Sequence, residues 1–483
     1  MKVVVLGLDG ACFELINPWL KNGSLPNLRK LVKDGVSGPL ESWPPPVTCP
    51  SWKCYSTGLN PGKLGVYWWQ IVDVRRRRIS IPSSRSFRGK EIWDYLAEAG
   101  FSSGVLNMPT TYPPKPIKGF MVAGGPLSLE IGYAYPPWLE ERLRQMGYRV
   151  HPKERISSRE KAVEAFDELL ELFEMRFKVA YRLAKEFQVN FLHLTIFYIN
   201  TLHHFLWDHP LVKRAWQAID ELVGWVLSAW DVEDIIIISD HGSNPIKSVF
   251  AVNAWLKREG YLRFSSGRLK GVLAKLGLTR ERLGPLLARL IGEKAVSRLS
   301  SSTVPQALIP SGIGEIDWAS SKALGSGQGP LYLLGTERGS EEYEKLRDEL
   351  IEKLEGLRDP RTGLKVIAKA HRAEELYGSL FGPAPDIILE QSPGCHIEGS
   401  LAAEKPFGEP DKWAAENAKY GLFIAHGPDF KKGLRVEGAK ITDVAPTVLC
   451  LYGLRAPTYM DGHVLVEALA PKAQKRKHAQ NRG

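Results

Sequence analysis

The chain has 483 residues, of which 44% are apolar and 24% charged, a composition typical of folded proteins that excludes gross disorder. Its 64 Lys and Arg residues exceed its 54 Asp and Glu residues, which gives a formal net charge of +10. No apolar run approaches the roughly 20 residues that a membrane helix needs. The amino terminus also lacks the pattern of a secretory signal, so we expect a cytoplasmic protein.

Short apolar runs alternate with helix-periodic stretches along most of the chain. Runs that are apolar on both faces are typical of parallel strands covered by helices. The predicted strands are Val3–Leu8, Phe191–Phe197, Ile235–Ile238, Leu331–Leu334, Ile387–Leu389 and Leu422–Ala425. The predicted helices are Pro26–Asp34, Trp52–Ser56, Ile92–Glu98, Ser157–Phe187, Trp216–Ser228, Val249–Glu259 and Glu341–Glu355. This alternation predicts an α/β sandwich with a mostly parallel central sheet and helices on both faces.

Two stretches interrupt the alternation and define the domain organisation. We expect a discontinuous α/β core of residues 1–130, 186–261 and 319–470. A helical insertion would occupy residues 131–185, where Ser157 and Glu160 form a capping-box pattern, and a cap-like insertion would occupy residues 262–318. Residues 471–483 form a basic tail, which we predict to be disordered.

Basic and cysteine residues carry weaker signals. The run Arg75–Arg78 and the basic tail are interpreted as solvated surface. Contact of the tail with nucleic acid or an anionic membrane is the alternative, but no aromatic residues or nucleic-acid motif accompany it. The five cysteines include no CxxC pair, so we expect buried, unpaired thiols.

Three candidate ligands follow predicted strands. Asp9 follows the first strand in LGLDG, while Asp240 and His241 follow the strand in IIIISDHG. The carboxyl ends of parallel strands meet at one edge of a sheet, so we expect these side chains to lie together. Thr48, in PPPVTCPSW, stands at a predicted helix start because Pro50 fits the first turn.

These four residues offer three oxygens and one nitrogen. Such a set suits a tetrahedral Zn²⁺, with Mn²⁺ as the second choice. A hydroxyl bound to the ion would have a lowered pKa and become a nucleophile. The sequence therefore predicts a site in which Asp9, Thr48, Asp240 and His241 bind one metal and Thr48 attacks a phosphate-bearing substrate.

The chain resembles the type I phosphodiesterase and nucleotide pyrophosphatase family of the alkaline phosphatase superfamily. The resemblance includes VVVLGLDGACFELI, PPPVTCPSWKCYSTGLNPGKLGV, IIIISDHGSNPIKSVFAVNAWLKREG and AKITDVAPTVLCLYGLRAPTYMDGHVL. It implies an alkaline-phosphatase-like sandwich with helical cap insertions. It also implies that Asp9, Thr48, Asp240 and His241 form one metal site with its threonine nucleophile.

The same resemblance implies a second metal site that is altered here. The family's Asp position holds Asn200, the His four residues later is retained as His204, and the late His position holds Asn417. Amide oxygens are neutral, weaker zinc ligands, so we expect one tightly bound ion and a weak or absent second ion. Glu416, His396 and His426 lie in the same region and stay open as alternative ligands.

The residues after the nucleophile also depart from the family pattern. Leu64-Gly65 stands where relatives often have His-Gly, and Trp69 replaces a phosphate-binding Asn of some members. Trp68 and Trp69 would form either a stacking wall for a substrate or part of the core.

The expected function is a metal-dependent phosphoric ester hydrolase of phosphodiesterase type, with a phosphate-ester small molecule as substrate. His204 is a candidate general acid. The alternative is a catalytically impaired relative that binds a phosphate-containing ligand or a protein partner, and a phosphotransferase also stays open. The sequence does not indicate the physiological substrate or the oligomeric state.

Overall fold

A computed structural model of the protein describes residues 1–264 and 316–474. Its strands are numbered here in chain order. They are β1 (Val3–Leu8), β2 (Val36–Glu41), β3 (Ile71–Asp73), β4 (Arg78–Ser80), β5 (Ser103–Pro109), β6 (Gly119–Gly124), β7 (Ala134–Tyr135), β8 (Phe191–Ile196), β9 (Asp234–Ile238), β10 (Gly242–Pro245), β11 (Ser248–Ala251), β12 (Ala323–Gly325), β13 (Pro330–Leu333), β14 (Ile367–Arg372), β15 (Ile387–Gln391), β16 (Cys395–Glu398), β17 (Phe407–Gly408), β18 (Ala415–Ala418), β19 (Tyr420–His426), β20 (Leu434–Arg435) and β21 (Ala439–Lys440).

The helices are numbered in the same way. They are α1 (Phe13–Lys21), α2 (Pro26–Asp34), α3 (Thr48–Thr57), α4 (Pro61–Leu64), α5 (Ile92–Glu98), α6 (Leu139–Gln145), α7 (Arg159–Glu164), α8 (Phe166–Glu186), α9 (Tyr198–Leu206), α10 (Pro210–Ala229), α11 (Val252–Arg258), α12 (Glu341–Glu355), α13 (Ala373–Tyr377) and α14 (Val444–Leu451). None of these helices is long and apolar enough to cross a membrane.

A ten-stranded mixed sheet forms the centre of the fold, in the order β20-β2-β19-β9-β1-β8-β5-β6-β7 with β21 beside β2. Strands β9, β1, β8, β5 and β6 run parallel, whereas β19 is antiparallel to both β9 and β2. Alternate side chains of β1 enter two different cores: Val4 and Leu6 pack with helices on one face, Val3 and Val5 with those on the other. The predicted α/β fold with helices on both faces is confirmed.

Two predicted strands belong elsewhere. The runs at Leu331 and Ile387 form β13 and β15 of a separate antiparallel sheet, β12-β13-β15-β14, and not of the central sheet. These strands are also apolar on both faces, because that sheet packs into a core of its own that includes Leu350 of α12. An apolar run therefore predicted a buried strand correctly but did not reveal which sheet the strand joins.

Two predicted helices have different boundaries. The helix predicted over Ser157–Phe187 is divided into α7 and α8 at Ala165. The N-cap is Ser158 instead of Ser157, since its extended backbone lets the Ser158 hydroxyl accept the Lys161 N–H. The first three residues of the predicted helix Val249–Glu259 form part of β11, which pairs with β16 and β17 from much later in the chain.

The stretches expected to be insertions are described in part. Residues 131–185 contain α6, α7 and most of α8, and α8 packs against β8 and β5 of the central sheet. Most of the cap-like stretch 262–318 and the end of the basic tail lie outside the described residues. Arg75–Arg78 are exposed: the first three lie between β3 and β4, and Arg78 begins β4. All five cysteines lie in the described ranges, where they are buried and form no disulfide.

Candidate metal centre

The carboxyl edge of the central sheet brings the predicted site residues together. Asp9 follows β1 directly, and Asp240 and His241 follow β9, which is the parallel neighbour of β1. Thr48 is the first residue of α3. The loop before α3 is tied to the same edge, because the Ser42 hydroxyl donates to the Asp240 carbonyl at 2.7 Å.

The four side chains form one buried cluster. The ligand atoms of Asp9, Asp240 and His241 all lie within 4.8 Å of one another. The Thr48 hydroxyl lies 3.1 Å from His241 Nε2 and 3.4 Å from Asp9 Oδ1. His241 Nε2 lies 3.3 Å from Asp240 Oδ2 and 3.7 Å from Asp9 Oδ1. The structure therefore brings together the four residues that the sequence predicts to form one site.

The cluster turns hydrogen-bond acceptors toward one another. His241 donates its Nδ1–H to the Gly242 carbonyl at 2.8 Å, so the neutral ring presents the Nε2 lone pair to the two carboxylates. Asp240 Oδ2 is buried and has no hydrogen-bond partner among the described residues. Converging carboxylate and imidazole lone pairs are the donor set of a divalent cation, so these residues fit the metal that the family resemblance implies.

Burial dominates the protonation of this cluster. It raises the pKa of Asp9 well above its usual value, with the nearby Asp240 carboxylate adding to the rise. Burial likewise raises the pKa of Asp240 to about 7 and lowers that of His241. Two carboxyl groups are thus held where their charged forms are costly, and a bound cation would remove that cost.

Hydrogen bonds outside the cluster fix the two carboxylates. The Trp52 indole N–H donates to Asp9 Oδ2 at 2.9 Å from the fully buried second turn of α3. The Gly10 backbone N–H donates to Asp240 Oδ1 at 3.3 Å. Gly10 has a φ of +69°, and an added Cβ would lie 2.2 Å from Asn200 Oδ1. Sequence reasoning missed Trp52, although its position four residues after Thr48 places both on one helix face.

The residues expected to form a second metal site lie beside this cluster. Asn200 is on α9 and forms a hydrogen bond with the Asp9 side chain that lowers the Asp9 pKa. Asn417 is on β18, directly opposite Ser243 of β10, and the Ser243 hydroxyl lies 3.4 Å from Asn200 Oδ1. His204, one turn after Asn200, donates Nδ1–H to the Ala415 carbonyl at 2.8 Å.

His204 and Asn417 both present acceptor atoms. With Nδ1–H bound to a carbonyl, neutral His204 keeps its lone pair on Nε2, as His241 does. Burial lowers the pKa of His204 to about 4, so a neutral ring at pH 7 carries no proton on Nε2. Both expected roles of His204, general acid and metal ligand, stay predictions. Asn417 Oδ1 is buried without a hydrogen-bond partner within the described ranges.

Of the three alternative ligands, His396 is close enough to His204 to contribute to the lowering of its pKa. His396 contacts Trp413, which stacks on His204 with ring centroids 4.2 Å apart. Glu416 faces His396, with Oε2 3.3 Å from Nδ1, and burial raises the pKa of this carboxyl well above its usual value. His426 ends β19 opposite Ile235, at the start of β9, away from the carboxyl edge.

Trp68 and Trp69 belong to the protein interior. Both are 9% exposed and pack in a small core with Val47 and Cys49, immediately around Thr48. The packing alternative is therefore the one that the structure supports. Val47 and Cys49 flank Thr48 in the chain, so the two indoles pack beside the start of α3.

The fold and this cluster define the class: an α/β protein of alkaline-phosphatase-like architecture with an Asp-Asp-His centre at the carboxyl edge of its sheet. Comparison with known families agrees, because the profile of the type I phosphodiesterase / nucleotide pyrophosphatase family matches residues 3–429. The chain belongs to this family. No curated protein matches it.

Solved structures with the same fold are distant in sequence. Murine ectonucleotide pyrophosphatase / phosphodiesterase 5, solved as an inactive variant in complex with AMP, is 16% identical with a TM-score of 0.54; the match covers 97% of this chain and 100% of that chain. The human protein of the same name gives the same values. Phosphonoacetate hydrolase from Sinorhizobium meliloti 1021, in complex with phosphonoformate, is 14% identical with a TM-score of 0.60; the match covers 92% of this chain and 94% of that chain.

Proposed function

We propose that the chain is a metal-dependent phosphoric ester hydrolase of the phosphodiesterase and nucleotide pyrophosphatase type, with Thr48 as nucleophile. The observation that carries the proposal is the Thr48 hydroxyl, 3.1 Å from His241 Nε2 and 3.4 Å from Asp9 Oδ1 within the Asp-Asp-His cluster. Family membership supports it. Structures of the same fold hold AMP or phosphonoformate, which supports a phosphate-bearing small molecule as substrate.

Asp9, Asp240, His241 and Thr48 would hold a Zn²⁺ or Mn²⁺ ion. Such an ion lowers the pKa of a bound hydroxyl and neutralises charge on a phosphoryl oxygen. Thr48 Oγ1 would lose its proton to solvent, attack phosphorus and displace the leaving oxygen, which would take a proton from solvent. A water molecule would then attack the phosphothreonine, break its bond to Oγ1, release the phosphomonoester and return a proton to Oγ1. Trp52 would hold Asp9 in place through both steps.

A second candidate function follows from the family resemblance alone. The resemblance implies that Asn200 and Asn417 stand where relatives have two metal ligands, so that a carboxylate's charge would be missing at position 200. A chain impaired in this way would bind a phosphate-containing ligand without turning it over. The proposed hydrolase instead requires leaving groups that need little stabilisation, such as an aryl oxygen.

The test measures hydrolysis of bis(4-nitrophenyl) phosphate and the metal content per chain for wild type and Thr48→Ala. The matched control is Thr57→Ala, which removes a hydroxyl from the same helix where it bonds the Lys53 carbonyl. We expect wild type and Thr57→Ala to hydrolyse the diester and Thr48→Ala to lose about 10³-fold or more in rate. Retained activity in Thr48→Ala would exclude Thr48 as nucleophile. Stoichiometric metal without any hydrolysis would support the binding function.

A further inference from the structure

A buried arginine on α8 has no acidic partner among the described residues. Arg176 is fully buried and lies on the same helix face as Phe173 and Ala180, which belong to the core. Its Nη2 donates to the Val150 carbonyl at 3.0 Å, whereas Nε and Nη1 are buried with no hydrogen-bond partner in residues 1–264 and 316–474. A guanidinium keeps its positive charge in proteins, and a buried charge without an opposite charge is costly.

The groups around this guanidinium are neutral. Its Cζ lies 5.4 Å from the centroid of the Tyr198 ring, at the distance of a cation–π contact. His151 accepts the Tyr198 O–H on Nδ1 at 2.9 Å and donates Nε2–H to the Ser128 carbonyl at 2.7 Å, which defines a neutral ring. Burial lowers the pKa of His151 and raises that of Tyr148, so both side chains are uncharged at pH 7. These groups offer partial charges but no full negative charge.

The carboxylates near this cluster do not neutralise Arg176. Burial raises the pKa of Tyr198, and Glu168 and Glu130 add to the rise, so both carboxylates are close enough to act on this group. Glu168 is paired with Arg149, and Glu130 is exposed to solvent. Neither forms an ion pair with Arg176 in the part of the chain that the structure describes, so the charge of Arg176 is available to a ligand.

An anion would balance this charge. The Tyr148 hydroxyl is buried without a hydrogen-bond partner of good geometry in the described ranges, and it is near enough to Arg176 for the guanidinium to oppose the rise of its pKa. The N–H bonds of Arg176 Nε and Nη1 and the O–H bond of Tyr148 can all donate to an anion. We propose that Arg176 and Tyr148 bind a small monovalent anion such as chloride.

The preference for a small monovalent ion follows from charge and burial. One negative charge balances one guanidinium, whereas a phosphate dianion would leave an excess charge in the core. Arg176, Tyr148 and Val150 are at most 5% exposed, so an ion that keeps a large hydration shell does not fit beside them. The inference does not depend on the proposed function, because none of these residues belongs to the metal cluster.

Tyr198 connects this anion site to the metal cluster. It is the first residue of α9, which also carries Asn200. Asn200 forms a hydrogen bond with the Asp9 side chain. An anion that holds Arg176 against the Tyr198 ring would support the start of this helix without contacting the proposed metal ligands. Its main effect should therefore be on stability.

The experiment measures the melting temperature of the full chain by calorimetry while chloride replaces gluconate at constant ionic strength. Gluconate is too large for a place this buried. We expect a saturable rise with chloride, of about 1–2 °C at ten times its Kd, because a ligand that binds only the folded state stabilises it. The rise should be the same with zinc and with EDTA, which separates this site from anion binding at a metal. Bromide in crystals should give an anomalous peak in contact with the Arg176 guanidinium.

Two variants and one control locate the effect. Arg176→Met removes the charge and keeps an unbranched side chain, so the response to chloride should be lost. Tyr148→Phe removes one donor, so the Kd for chloride should rise by about tenfold or more. The control is Arg347→Met, which removes a buried arginine that pairs with Glu374 at 2.6 Å and with Glu344. It should lower the stability and keep the wild-type response to chloride.

The wild-type measurement decides the inference even if Arg176→Met fails to fold. A melting temperature that is equal in chloride and gluconate would overturn it, and so would bromide peaks that leave the Arg176 guanidinium without a contact. A wild-type Kd for chloride in Tyr148→Phe together with an unchanged response in Arg176→Met would place the anion elsewhere and would also overturn it. A response that disappears with EDTA would assign the chloride to the metal centre and refute the site at Arg176.

Discussion

Replacing Trp52 by Phe should weaken metal binding without touching any proposed ligand. The indole N–H donates to Asp9 Oδ2 at 2.9 Å, and both residues are fully buried. The bond orients the carboxylate and favours its charged form, since it lowers an Asp9 pKa that burial raises. Phe keeps an aromatic ring in the helix but has no donor.

The magnitude follows from the charge on the acceptor. A hydrogen bond to a charged group contributes about 1.5–3 kcal/mol, and loss of such support outside the ligand shell lowers metal affinity by about 10–100-fold. Competition between Zn²⁺ and a fluorescent chelator measures the Kd directly. Activity of the proposed hydrolase should recover at high Zn²⁺, because the nucleophile is intact.

The matched control is Tyr55→Phe, three residues later on α3. It removes a buried hydrogen bond between the Tyr55 hydroxyl and His193 Nδ1, 3.0 Å apart, that does not involve the cluster. Its zinc Kd should equal that of wild type. A wild-type zinc Kd in Trp52→Phe would refute the argument that this indole supports Asp9.

Three further predictions follow. Glu91→Gln should lower the free energy of unfolding by about 3–5 kcal/mol in urea denaturation, because Lys53 would be left buried without its partner at 2.8 Å. Burial raises the pKa of Glu91, but Lys53 and Lys115 together outweigh it and lower the pKa from 4.5 to about 2. The contribution of this carboxylate to the free energy of unfolding, about 3 kcal/mol, should therefore be complete above pH 4.5 and be lost as the pH falls toward 2. An acid unfolding transition in Glu91→Gln at the same pH as in wild type would contradict this prediction. Gly10→Ala should weaken zinc binding, because the added Cβ would lie 2.2 Å from Asn200 Oδ1 at a φ of +69°. The control Gly23→Ala has a similar φ of +78°, but its Cβ would lie 3.6 Å from the nearest atom, so it should lower the stability without changing the zinc Kd. Equal zinc Kd values for the two variants would contradict the prediction. Chelation with EDTA should lower the melting temperature in calorimetry, because a ligand at 100 times its Kd adds about 3 kcal/mol to the free energy of unfolding. An unchanged melting temperature would argue against a bound ion.

The proximity of Asp9, Thr48, Asp240 and His241 was predictable because each residue carries a local signal. Asp9 and Asp240 follow short apolar runs that predict buried strands, and the carboxyl ends of parallel strands lie at the same edge of a sheet. Thr48 was placed by Pro50, which fits the first turn of a helix. Their order along one sheet then implied proximity, and the observed distances agree with that implication.

Features that depend on pairing between distant segments were not predictable. The position of Asn417 is fixed by β18 pairing with β10, where Asn417 lies opposite Ser243. Likewise, the apolar residues Val249–Ala251 resemble the start of a helix until β16 and β17 pair with them. The carbonyl of Ala415 that orients His204 is also a product of the fold, because a backbone acceptor has no sequence signature.

The most direct test of the metal centre is anomalous diffraction at the zinc edge from crystals of the zinc-loaded protein. The account predicts a strong peak bonded to Asp9, Asp240, His241 Nε2 and the Thr48 hydroxyl. A zinc-loaded crystal with no peak among these four side chains, or with its peak elsewhere in the molecule, would contradict it.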